Sequence, residues 1–231
     1  ILLAGGSIYA FYRYRLHQKL KLLTIRNKIA GDLHDEIGST LSSISLSSTI
    51  IQKKLNHHDI EVSPLLKQIS SNTDEMMEAM SDIVWSINTK NDRFALVHNR
   101  MRAYAIEMTE AKNILLTMEV DERAEQAHLE MVKRKNLYLI FKEAVNNAAK
   151  YSGCSNLWIM ISLEGNKKLS MVIKDDGKGF SAGSNGDRKW AASRGGNGIE
   201  NMKKRAAEIN GVLEIDSSPE KGTALSLTFP L

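Results

Sequence analysis

The stretch Leu129–Tyr151, LEMVKRKNLYLIFKEAVNNAAKY, decides how the second half of this 231-residue chain is read. In a chain with only three prolines, Pro64, Pro219 and Pro230, it reads as one helix. Glu143, Asn147 and Lys150 then fall at i, i+4 and i+7. A carboxylate, an amide oxygen and an ammonium would project from one face. A hard divalent cation takes oxygen ligands, and phosphates take both that cation and a lysine. A solvated polar helix face would show the same spacing, so the neighbouring segments must decide.

Working outward, Phe94–Ala111 reads as a helix and Ile114–Val120 as a strand on the amino-terminal side. On the other side, Leu157–Leu163 and Leu169–Lys174 alternate as strands, Gly198–Ile209 is helical, and Val212–Ile215 and Ala224–Phe229 are strands again. Strands separated by helices, with neighbouring strands in hairpins, predict an α/β sandwich with helices on one face. Neither a GxxxxGK[ST] phosphate loop nor a strand-linked GxGxxG fingerprint occurs.

Two glycine-bearing segments accompany the helix. Asp175-Asp176-Gly177-Lys178-Gly179-Phe180 ends a strand. An acid followed by closely spaced glycines suits a tight turn, with backbone near a ligand and a carboxylate able to accept from an exocyclic amine. Ser193-Arg194-Gly195-Gly196-Asn197-Gly198 opens the next helix, where glycine-rich backbone at a helix N-terminus can cradle phosphate. The polar Gly/Ser-rich stretch 181–196 between them, with Trp190, reads as a lid.

The first half has a different pattern. From Leu16 to Leu55 there is no proline, and Ile25, Ile29, Leu33, Ile37, Leu41 and Ile44 form one stripe at helical spacing. Asn56–Val62 breaks it; Ser63 as N-cap and Pro64 at the first helical position restart it. The second stripe runs through Leu65, Ile69, Thr73, Met76, Met80, Ile83 and Ile87. Two long amphipathic helices joined by a short loop predict an antiparallel hairpin, and two copies would bury the remaining apolar surface in a dimeric four-helix bundle. His34 lies at the margin of the first stripe with Asp35 beside it. A carboxylate next to an imidazole can fix its tautomer and leave one ring nitrogen as a nucleophile.

Charge and cysteine content exclude other classes. The formal net charge of +4 invites a nucleic-acid reading. However, Arg13, Arg15, Lys19, Lys21, Arg26 and Lys28 all precede the first acid, Asp32, which leaves 25 of 31 basic and all 27 acidic residues in the remainder. That body is slightly acidic, so no nucleic-acid partner is expected. The basic segment instead suits an anionic cytoplasmic leaflet. It follows apolar or small residues 1–12 and lies among Tyr9, Tyr12 and Tyr14, the pattern of the inner end of a transmembrane helix. The lone cysteine, Cys154, excludes an intrachain disulfide framework and reads as a packing residue.

Taken together, these segments resemble a sensor histidine kinase of the subfamily that partners with NarL-type response regulators. Residues 29–36, IAGDLHDE, resemble the phosphoacceptor box; residues 143–150, EAVNNAAK, resemble the ATP-binding N box. Asp175-x-Gly177-x-Gly179 resembles the G1 box, Gly196-x-Gly198 with Met202, Arg205 and Ala206 the G2 region, and Gly222-Thr223 the closing Gly-Thr. The resemblance implies a dimeric helical hairpin followed by a Bergerat (GHKL) ATPase domain. By position it implies a transmembrane end at 1–14, a juxtamembrane helix at 15–28, a dimerisation and phosphotransfer domain at 29–90, and an ATP-binding domain at 91–231. The region would lie on the cytoplasmic side of a bacterial inner membrane.

Carried over residue by residue, His34 would accept the γ-phosphate of ATP and Asp35 would orient and deprotonate it. Asn147 would bind Mg²⁺, Lys150 would contact phosphate, Asp175 would bond the adenine amine, and Glu143 would assist the metal and water network. Gly177, Gly179, Gly196, Gly198 and Thr223 complete the implied nucleotide site. An aspartate of a response regulator would receive the phosphoryl group. Ser39 stands where many members carry a glutamine that aligns water for dephosphorylating the regulator. The competing readings are an inactive nucleotide-binding scaffold and a non-kinase GHKL ATPase.

Overall fold

A computed structural model of the chain describes residues 12–15, 17, 38–54, 62–88, 92–165, 167–180 and 198–231. Two compact units divide it, Ile1–Thr89 and Lys90–Leu231. His34, Asp35, Gly196, the lid stretch 181–196 and most of the basic amino-terminal segment lie outside the described residues. Among the described residues no helix is long and apolar enough to cross a membrane.

The first unit is a pair of packed helices, α1 (Gly38–Lys54) and α2 (Val62–Ile87). α2 starts at Val62, so Ser63 and Pro64 belong to its first turn. Ser45, nine residues before the end of α1, meets Ser70 near the start of α2 at 3.3 Å and donates to Asp74 at 3.2 Å. That register is the one an antiparallel hairpin requires.

The buried side chains divide the expected stripes. Among the residues whose burial is described, Leu41 and Ser48 on α1, and Leu66, Thr73, Asp82 and Ser86 on α2, are buried. Of the two stripes read from the sequence, Leu41 and Thr73 are in this buried set, whereas Leu65 (60% accessible), Met76 (58%), Ile44, Ile69 and Ile83 are exposed; Ile25, Ile29, Leu33 and Ile37 lie outside the described residues. Small polar residues line the contact within the hairpin, where Thr73 folds its hydroxyl back onto the Ile69 carbonyl at 2.7 Å. Leu41 and Leu66 are buried with them, while Leu65, Ile69, Met76 and Ile83 stay exposed.

The second unit is a two-layer α/β sandwich, as the alternation of strands and helices predicted. Its strands are β1 (Leu115–Val120), β2 (Asn156–Glu164), β3 (Lys168–Asp175), β4 (Val212–Ser217) and β5 (Thr223–Pro230). They form one sheet in the order β1-β2-β3-β5-β4. β1 and β2 are parallel and every other pair is antiparallel. The helices are α3 (Phe94–Glu110), the short α4 (Glu122–Glu125), α5 (Met131–Asn147) and α6 (Gly198–Glu208). α4 and α5 lie in the crossover that a parallel β1–β2 pair needs.

One face of the sheet makes the core. Leu157, Ile159 and Ile161 on β2, Leu169, Met171 and Ile173 on β3, and Leu225, Leu227 and Phe229 on β5 are all buried at the two-residue period of a strand. α3 meets this unit's core through Phe94, Val97, Met101, Ala105 and Thr109, and α5 through Leu137, Ile140, Phe141, Ala144 and Val145. Full burial of each large apolar side chain stabilises by roughly 1.5–3 kcal/mol. The opposite face is open, with Met160 exposed.

The start of this unit is stapled to the segment before α5. Phe94 N donates to Ala127 O and Leu129 N donates to Asp92 O, each at 2.9 Å. The fully buried Arg134 guanidinium pairs with the half-exposed Asp92 carboxylate at 2.5 Å and donates to Leu129 O at 3.2 Å.

Candidate functional site: a cleft between the sheet end and the helix layer

The β3 alternation that buries Leu169, Met171 and Ile173 continues to Asp175, which therefore faces the helix side at the strand's end and is only 6% exposed. Its Oδ1 accepts from Gly177 N at 2.9 Å. Burial pushes this carboxyl above the ordinary carboxylate range; the amides of Gly177 and Thr223 pull the other way, and the Asp176 charge adds to the rise. Asp176 itself is structural. It accepts from Ser155 N at 2.8 Å and from Asn156 N and Nδ2 at 2.9 and 2.7 Å, and these bonds hold its carboxyl below the usual range.

The loop after β3 is shaped by close approach. A methyl on Gly177 would stand 2.6 Å from both Cβ and O of Ser152. Gly179 has φ +58, and a Cβ there would overlap the Ser218 carbonyl; Gly222 has φ +75, and a Cβ there would overlap the Asp175 carbonyl. Lys178 N donates to Ser152 O at 3.0 Å, and Glu220 N donates to Lys178 O at 2.7 Å. Ser217 Oγ accepts from Phe180 N at 2.9 Å and lies 3.0 Å from Thr223 Oγ1. The glycines are thus required by sterics as well as by turn geometry.

The opposite wall comes from α5. Its last turn is not α-helical: Ala148–Ser152 is a π turn, closed by Gly153 in the left-handed region at φ 67°. Such a turn inserts a residue into the ladder and re-aims the side chains beyond it. Ser152 holds it, donating to Ala148 O at 2.8 Å and accepting from Cys154 N at 3.0 Å. Cys154 is buried behind this turn, and burial pushes its thiol up, the setting of an inert packing cysteine.

The cleft encloses about 600 Å³ including its mouth. Ile173, Ile215, Leu225 and Met202 form apolar walls, Asp175 and Thr223 lie at the sheet end, and Asn147, Tyr151 and Ser152 lie on the helix side. Gly179 and Phe180 close the loop side. Asn147 Nδ2 donates to Glu143 Oε1 at 3.2 Å, so its carbonyl oxygen is the end that can ligate. Gly198 opens α6 directly against Glu143; a Cβ there would overlap the carboxylate.

Of the residues singled out from sequence, Asn147, Asp175, Gly179 and Thr223 line one cleft, with Glu143, Gly177 and Gly198 packed on its rim. Lys150 does not line it: it is exposed on the π turn, where the regular i+7 spacing from Glu143 no longer holds. Tyr151, Ser152, Ile215 and Leu225 were missed. Tyr151 ends the helix read as Leu129–Tyr151 and Ser152 follows it, so both could have been found there. Ile215 and Leu225 reach the site only through strand pairing.

Among the described residues, no group of three or more His, Cys, Asp or Glu could hold a metal by itself. The Asn147 oxygen fits a magnesium ion that arrives with a nucleotide, because Mg²⁺ keeps several waters and takes one or two protein ligands plus substrate phosphates.

Comparison with known proteins agrees with this geometry. Residues 132–231 match the family of histidine kinase-, DNA gyrase B- and HSP90-like ATPases, and residues 26–92 match the HisKA_3 histidine kinase family. The sensor histidine kinase YdfH of Bacillus subtilis is 27% identical over 93% of this chain and 52% of its own length. The sensor histidine kinase DesK of the same organism is 27% identical over 94% of this chain and 57% of its own. The chain thus spans about half the length of the curated relatives it matches. Among solved structures, the histidine kinase domain of the blue-light activated kinase of Erythrobacter litoralis EL346 shares the fold, with a TM-score of 0.53 at 12% identity over 84% of this chain and 94% of that one. With a HisKA_3 helical segment leading into a GHKL-type ATPase unit, the chain belongs to the sensor histidine kinases.

Proposed function

We propose that this chain is the kinase region of a two-component sensor: as a homodimer it uses ATP to phosphorylate His34 and then passes the phosphoryl group to an aspartate of a response regulator. The observation that carries the reading is the cleft. Its apolar walls, Ile173, Ile215, Leu225 and Met202, suit a flat heteroaromatic base, and the buried Asp175 stands among them as an acceptor for an exocyclic amine. Gly198 opens α6 against Glu143, and Ile199 of its first turn lines the cleft with Asn147, where a triphosphate would extend toward the helix N-terminus.

Asn147 would hold Mg²⁺ by its carbonyl oxygen, oriented by Glu143. When bound, the cation neutralises charge on the β- and γ-phosphates. Lys150, outside the cleft lining, would reach phosphate from the mouth. In the transfer itself a ring nitrogen of His34 attacks the γ-phosphorus, the N–P bond forms as the bond to the β-phosphate oxygen breaks, and ADP leaves. Asp35 orients the imidazole and takes its other ring proton. The aspartate of the regulator then displaces the imidazole and carries the phosphoryl group as an acyl phosphate.

The exposed residues Ile44, Leu65, Ile69, Met76 and Ile83 support homodimerisation, because a second hairpin would cover them. The resemblance of residues 29–36 and 143–150 to the NarL-partnered subfamily supports a regulator of that type. The apolar residues 1–12 and the basic residues after them support attachment to the inner membrane, with the kinase on its cytoplasmic side. Incubation with γ-labelled ATP and Mg²⁺ tests the reading. An acid-labile, alkali-stable label on the protein is expected; no label, or an acid-stable one, would overturn it.

A further inference from the structure

α6 carries only two buried side chains, Met202 and Ala206, although its first turn lines the cleft through Ile199 and Met202. On its amino-terminal side, residues 181–197 separate it from Phe180. Two apolar contacts resist sliding and rotation weakly, because dispersion is non-directional. The register of α6 therefore depends on directional contacts: the turn into β4, where Gly211 N donates to Ala206 O at 2.8 Å, holds its carboxyl end, and α5 holds it at two further points.

The first is the fit of Gly198 against Glu143. The second lies two turns away on both helices. Asn136, seven residues before Glu143, is 1% exposed. Its Nδ2 donates to Glu208 Oε2 at 2.9 Å, and its Oδ1 accepts from Arg205 Nη1 at 3.5 Å. Arg205 is seven residues after Gly198, so the two anchor points are about 10.5 Å apart along each of two antiparallel helices. A side-chain amide can bridge an anion and a cation in this way, as donor to one and acceptor from the other.

We infer that Asn136, with Glu208 and Arg205, is a positioning residue that fixes the register of α6 and so holds the Gly198 turn at the phosphate end of the cleft. A slip of one residue would move that turn by about 1.5 Å and rotate it by about 100°. The inference rests on the nucleotide-site reading above and assigns the phosphate end alone to this clamp. The adenine end, built on the sheet around Asp175, Ile173, Ile215 and Leu225, takes only Met202 of its named walls from α6 and so depends on the clamp far less.

Calorimetric titration of the full chain with ATP and with adenosine, in Mg²⁺, tests it on four proteins besides the wild type: Asn136→Ala, Asn136→Asp, Glu208→Ala, and Asn136→Asp combined with Glu208→Gln. The first three should bind ATP about tenfold more weakly, the loss of one charge-assisted bond, with adenosine binding within twofold of wild type. The double variant restores a donor–acceptor pair with reversed polarity and should recover ATP binding. Should Asn136→Ala fail to fold, the exposed Glu208→Ala decides. Unchanged ATP affinity, or parallel loss of ATP and adenosine, would overturn the clamp. Failure of the wild type to bind either ligand would instead overturn the nucleotide-site reading beneath it.

Discussion

Replacing Asp175 with asparagine should move stability and ligand affinity in opposite directions. The substitution keeps shape and volume. The amide oxygen can still accept from Gly177 N, so the 2.9 Å bond that closes the turn survives. The NH₂ group then occupies the position of the other carboxylate oxygen and meets an adenine amine donor to donor. The loss is a hydrogen bond to an ionised acceptor, worth about 1.5–3 kcal/mol, so adenosine affinity should fall roughly ten- to a hundred-fold. Folding should not suffer. Burial raises the Asp175 carboxyl above 3.8, so the folded chain holds a proton that the unfolded chain releases in the window just above that value. Through that window the wild type loses stability as pH rises, and the amide removes the cost. The wild-type affinity for adenosine should also decline on acidification at a pH above 3.8, because the ionised form is the acceptor. Titration calorimetry with adenosine and thermal melting at neutral pH measure both quantities. Adenosine affinity within twofold of wild type, or a variant that melts well below it, would refute the reasoning.

Asn147→Asp sets a carboxylate against Glu143 in place of the 3.2 Å amide bond and should reduce Mg²⁺-dependent labelling at least about tenfold while adenosine still binds, as labelling rates and calorimetry would show. Asp92→Ala leaves the fully buried Arg134 without its carboxylate and should lower the stability of the ATPase unit by about 1–3 kcal/mol, read from the urea midpoint. Asp121, whose carboxyl the Arg123 guanidinium holds at about 2, should contribute stability above pH 3.8 that is lost as pH falls toward 2. Carboxyl carbon shifts would follow this titration, and Arg123→Ala should return its midpoint toward 3.8.

The ATPase unit was legible wherever a period or a steric demand shows in the residues. Leu169, Met171 and Ile173 alternate into Asp175, so the strand itself aims the acid at the helix layer. Gly177 and Gly179 mark places where the backbone must pass close to other backbone. The π turn at Ala148–Ser152 was not legible, since nothing in that composition distinguishes it from an α turn and the bond from Lys178 N to Ser152 O that ties it down is tertiary. α4 escaped too, although Asp121 caps it by accepting from Arg123 N at 2.9 Å. In the hairpin, periodicity identified two apolar stripes but not which of their residues would be buried within the hairpin. Leu41 and Leu66 are buried together with the small polar Ser48 and Thr73, whereas Leu65 and Met76 stay exposed, because helical spacing alone does not say which edge of a stripe faces the other helix.

The central claim is that His34 is the phosphoryl acceptor served by this cleft. Labelling with γ-labelled ATP and Mg²⁺, run side by side on the wild type and His34→Gln, tests it most directly. An acid-labile label is expected on the wild type and none on the variant, with both binding ATP equally. Equal labelling of the two proteins would contradict it.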